Sequence, residues 1–164
     1  MYYSQIGQDE YYINNISKGR RNGIFLDIGA NDGKFGSNTA TLEYDYGWTG
    51  LCIEANPNLI PNLIKNRPNS TIINEAVWSI PGEVVIEVPL SFKKKDPADQ
   101  LGRIQGIERN YKSFKKFFDK GKETFKVKSN TATEMIKKYL GLPVIIDYMS
   151  LDTEGSELEA LQSI

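Results

Sequence analysis

The 164-residue sequence contains no histidine. That excludes His-based triads, the HExxH zinc site and an imidazole base, leaving acid–base chemistry to carboxylate, lysine, tyrosine or water. A single cysteine, Cys52, sits inside an apolar run. No intramolecular disulfide can form, nothing calls for an oxidising compartment, and the residue reads as a small buried hydrophobe. No apolar stretch is long enough to span a bilayer, and residues 1–15 lack the apolar core of a signal peptide. The expectation is a soluble, cytoplasmic protein. Net charge is also scarce, at −1 overall, so no nucleic-acid partner is expected. The balance is uneven, because residues 91–130 carry +7 and the remainder −8. With 40% hydrophobic and 25% charged residues, the chain has the composition of one globular domain with a real core.

The most informative segment is Asp27-Ile28-Gly29-Ala30-Asn31-Asp32-Gly33, which follows the apolar run 24–26. Glycines at a strand end let backbone approach a ligand closely, or simply make a strand-to-helix turn. A dinucleotide site would show G-x-G-x-x-G, but counting from Gly29 the positions hold Gly29, Asn31 and Lys34. A carboxylate two residues before the first glycine repels pyrophosphate and attracts an ammonium group, directly or through water. S-adenosylmethionine (SAM) carries an ammonium, a sulfonium and no phosphate. A second short strand ends in Glu54, the place from which an acidic side chain can hold ribose hydroxyls.

Hydrophobic periodicity and turn residues predict a helix over 8–17, strands at 24–28, 50–54 and 71–74, and helices from Ser37 or Asn38 to Tyr46 and from Pro57 to about Arg67. Such alternation implies parallel strands with right-handed crossovers. The pattern then changes. Residues 83–88 and 124–128 read as a pairing hairpin, with an amphipathic basic helix at 107–120 between them that carries Lys112, Lys115, Lys116 and Lys120. That helix either exposes solvated lysines or meets an anionic acceptor or membrane surface. A helix over 133–140, a strand over 144–151 and a final helix capped by Ser156 complete the chain.

Five ordered segments coincide with one pattern: residues 4–9, the turn from Asp27 to Gly33, Ser37-Asn38-Thr39, residues 47–57 and residues 150–157. Together they resemble the FkbM-type methyltransferases, a class I SAM-dependent family. The resemblance implies an α/β, Rossmann-like SAM-dependent methyltransferase sheet in three αβα layers with strand order 3-2-1-4. Residues 83–130 form a basic β/helical insertion within a single domain, 1–164. Strands 5–7 of the family sheet have no counterpart here, so the chain reads as truncated. The fourth strand then becomes an exposed edge open to a dimer or a partner chain.

By the same resemblance Asp27 neighbours the SAM amino group, Gly29, Asn31 and Gly33 line the methionine part, Glu54 binds the ribose, Ala55 flanks the nucleoside, and Asn74, Ala76 and Val77 lie near the adenine. The implied activity is O-methylation of a hydroxyl on a carbohydrate or small metabolite. Asp152 and Glu154 are the candidate catalytic bases. Two carboxylates alone are a weak metal signal, so no metal site is assigned. The competing reading is an inactive remnant that retains SAM binding or a partner-association role. An NAD-dependent oxidoreductase is opposed by Asp27 and the missing glycine.

Overall fold

The computed structural model describes residues 1–90, 102–107, 117–119 and 121–164. Most of the expected basic helix at 107–120 therefore lies outside the described residues. Two sheets organise the chain. The first is wholly parallel, in the order β3 (Thr71–Ile73), β2 (Thr49–Ile53), β1 (Ile24–Ile28), β8 (Tyr148–Leu151). Its side chains divide between two cores, as the two-residue strand period requires. Leu26, Ile28, Leu51 and Ile53 pack with Met135 of α4 (Ala132–Tyr139) and Ala160 of α5 (Glu157–Leu161). Phe25 and Cys52 face the other way, against Leu42 of α2 (Ala40–Tyr46), Leu63 of α3 (Ile60–Asn66), Trp48 and Ile13. Ile13 belongs to the π-helical turn Tyr12–Ile16, which continues α1 (Gln8–Tyr11). Helices thus cover both faces, as a parallel sheet demands.

The second sheet runs β4 (Ala76–Val77), β7 (Lys122–Asn130), β5 (Gly82–Pro89), β6 (Arg103–Ile104). β5 and β7 form the expected antiparallel pair, with Val84 opposite Val127, over a small core of Ala76, Ile86, Val88 and Val127. Glu87, on the opposite face of β5, is also buried and holds Arg103 at 2.7 Å and Lys122.

Local chemistry shifts several boundaries. Glu54 accepts from Asn56 N and Asn56 accepts from Asn58 N, so the chain turns first. The helix expected at Pro57 therefore begins at Ile60, with Pro61 in its first turn. The strand expected over 144–151 starts only at Tyr148, because β1 begins at Ile24 and offers no earlier partner. Asp147 ends that ladder instead: its amide donates to Ile24 O, and its carboxylate accepts from Ile24 N and pairs with Arg20. Ser156 makes no side-chain cap, and Glu157 takes over by accepting from Thr153 N and Gly155 N. Among the described residues no helix is long and apolar enough to cross a membrane.

Candidate functional site

A solvent-open cleft lies beyond the carboxyl ends of β1, β2 and β8, where parallel α/β sheets bind ligands. The second sheet forms its far wall through Ile86, Arg103 and Ile104. Of the residues singled out above, Asp27, Gly29, Asn31, Glu54, Ala55, Ala76, Val77, Asp152 and Glu154 all line it.

Gly33 and Asn74 do not line it. A Cβ on Gly33 would come within 2.6 Å of both Arg67 and Leu63, so that glycine lets the turn sit on α3. Asn74 braces the β2 end from outside, donating to Glu54 O at 2.8 Å and Ala55 O at 3.2 Å. Gly29 is also required by packing: at φ 83° its Cβ would lie 1.8 Å from Asp152 O. Asn31 occupies the left-handed region at φ 54°, which Asn tolerates better than most residues. Its amide donates to Glu54 Oε2 at 2.9 Å, while Asn56 N donates to Oε1 at 2.7 Å. Each Glu54 oxygen keeps a lone pair for a further donor. Burial pushes the Glu54 carboxyl up, against those two amides.

Asp27 is buried and already has its partners. Thr39 Oγ1 donates to it at 2.5 Å, Arg67 Nη1 stands 3.7 Å away, and Ser150 is its register partner on β8. Burial raises its carboxyl and Arg67 opposes the rise. Arg67 is itself fully enclosed, with Nε on Glu43 at 2.7 Å, Nη1 on Thr39 Oγ1 at 2.8 Å, and its guanidinium 4.9 Å from the Phe25 ring. Nothing local in the sequence announces this network; an arginine at a helix end reads as a solvated cap.

Beyond β8 the chain reverses sharply, with Glu154 at φ 55° and Gly155 at φ 114°. The turn begins at Asp152, just past β8, and both carboxylates line the cleft. Burial, with Asp152 and Glu157 nearby, pushes the Glu154 carboxyl up to about 7. Asp152 is raised by burial and by Glu157, whereas the two amides it accepts hold Glu157 low. A carboxylate poised near neutrality is suited to taking a proton.

Two further groups were not picked out as site residues. Asn38 donates from Nδ2 to Ser150 Oγ at 3.1 Å, while its Oδ1 is buried without a partner. Thr153 Oγ1 is likewise buried and unpartnered. Gln5 also reaches the cleft. Its segment is anchored by buried Asp9, which accepts from Tyr3 N, Ser4 Oγ and Thr41 Oγ1.

The methyltransferase FkbM domain model matches residues 27–163. The chain belongs to the FkbM methyltransferase family. The match begins at Asp27, so it includes the glycine turn, the Glu54 strand end and the Asp152–Gly155 turn but not the N-terminal segment that carries Gln5. No curated protein matches significantly. No solved structure does either.

Proposed function

We propose that this FkbM-family methyltransferase uses SAM and methylates a hydroxyl of a carbohydrate or small metabolite. The observation that carries the reading is the composition of one cleft. Glu54 stands at the β2 end with free lone pairs, apolar Ala55, Ala76, Val77 and Ile86 stand beside it, and carboxylates but no phosphate cradle stand at the glycine turn. That donor set suits a cationic nucleoside. An apolar wall takes a base, a carboxylate takes ribose hydroxyls, and the acidic lining favours a sulfonium over a pyrophosphate. Two buried oxygens without partners, on Asn38 and Thr153, are further places for ligand donors. Bound SAM supplies an electrophilic methyl group. The chain's own part is to hold the acceptor and remove its proton, and Glu154 is the group best tuned for it. Burial, with Asp152 beside it, keeps that carboxyl high, so Glu154 gives up its proton only near neutral pH.

Thermal-shift measurements with SAM, S-adenosylhomocysteine and NAD test the cofactor. Stabilisation by the first two is expected, and stabilisation by NAD alone would reverse the assignment. Radiolabelled methyl transfer to a panel of sugars and small alcohols tests the reaction. Cofactor binding with no transfer to any hydroxyl would leave only the remnant reading. Glu154→Gln should lower kcat by ~10²- to 10⁴-fold with SAM affinity unchanged, whereas unchanged turnover in both Glu154→Gln and Asp152→Asn would remove the base.

A further inference from the structure

Arg67 Nη1 donates to Thr39 Oγ1, so the Thr39 hydroxyl proton is directed at Asp27. On the other side Asn38 Nδ2 donates at 3.1 Å to Ser150 Oγ, at the β8 position that pairs with Asp27. That bond orients the Asn38 amide. Its NH₂ is committed inward, and its carbonyl oxygen is left buried with no donor. Thr153 Oγ1, in the same cleft, is a second buried oxygen lacking a partner.

An amide oxygen has no proton of its own to give, so Asn38 Oδ1 calls for a donor, and among the groups of the proposed cofactor the ammonium is the one with several donors and no acceptor. Asp27, by contrast, is buried and already met by Thr39 and the Arg67 cation. We propose that Asn38 meets the ammonium of the bound cofactor through its carbonyl oxygen, and that Ser150 is the positioning residue that orients it. This rests on the SAM reading above, and it moves the amino-group contact from Asp27 to Asn38.

Calorimetric titration of the full chain with S-adenosylhomocysteine, and with its analogue lacking the α-amino group, tests the assignment. Asn38→Ala should bind S-adenosylhomocysteine ~10- to 100-fold more weakly, the loss of a hydrogen bond to a charged group, and the desamino analogue as the wild type does. Asn38→Asp keeps an acceptor at this position and should retain more affinity for the amine-bearing ligand than Asn38→Ala. Ser150→Ala frees the amide to rotate and should weaken S-adenosylhomocysteine alone. Equal losses for both ligands in Asn38→Ala, no loss for either, or an Asn38→Asp variant as weak as Asn38→Ala would overturn the proposal while leaving the SAM reading intact. A wild type that binds neither ligand would overturn the SAM reading, and this one with it.

Discussion

Gly7 and Gly29 share nearly the same φ, 84° and 83°, but not the same surroundings. A Cβ on Gly7 meets nothing within 4 Å, whereas one on Gly29 would overlap Asp152 O. Gly7→Ala should therefore cost only left-handed strain, ~1–2 kcal/mol. Gly29→Ala adds a backbone clash that no rotamer can relieve, so urea unfolding should show a clearly larger loss; equal losses would mean that the β1 and β8 ends can separate cheaply. Glu154 gives a prediction with a different signature. Its folded-state carboxyl is raised from 4.5 to about 7, so the folded protein holds this proton more tightly than the unfolded chain does. Its contribution is complete below the unfolded value and is lost as pH rises through the folded one. Stability should fall between about pH 4.5 and 7, with Asp152, also raised, adding to the decline and Glu157, held low, acting only at lower pH. Glu154→Gln should flatten that slope, and melting curves from pH 4 to 8 would show whether it does.

At the scale of elements, α3 is tied to the glycine turn by Arg67, which reaches Glu43 of α2, Thr39, Gly33 O and Asp27. Arg67→Met would leave two buried carboxylates facing no guanidinium, a change expected to cost ~3–5 kcal/mol in urea unfolding. Arg67→Lys should recover only part of this, because an ammonium cannot make the Nε and Nη1 contacts together or lie on Phe25 as a plane. A lysine variant as stable as the wild type would reduce the network to simple charge neutralisation. This is also where sequence reading stops. β1 was legible to the residue, because an apolar run ending in a carboxylate and a glycine has few other solutions. The β5–β7 pairing was legible from its β-branched residues. Arg67 was not, since its partners lie 24 to 40 residues away in sequence and converge only once the sheet has formed. The same distance hid Asn38, whose polarity is set by Ser150, 112 residues further on. Boundaries moved where side chains captured backbone amides before a helix or a ladder could, as Glu54, Asn56 and Asp147 do.

For the whole molecule, the two edges of the parallel sheet differ. Among the described residues β8 pairs with β1 alone, and the apolar side chains near it are poorly covered: Ile145 is 78% exposed, Leu158 and Leu161 48%, and Met149 39%. An unpaired strand flanked by exposed apolar groups is a template for another strand, and natural edges are usually blunted by charge or proline. No charged side chain interrupts residues 148–151, so nothing on this strand opposes pairing. The physical expectation is self-association through β8, with a second copy extending the sheet. Sedimentation velocity over a hundredfold range of concentration should show a growing dimer fraction. Met149→Lys, a charge on an exposed position of that edge, should return the protein to monomer without changing its melting temperature by more than a few degrees. Charge placed on Ile64, an equally apolar residue of α3 that is 57% exposed, should leave association unchanged. A wild type that stays monomeric throughout, or a Met149→Lys variant that still dimerises, would show that the β8 edge is not the contact.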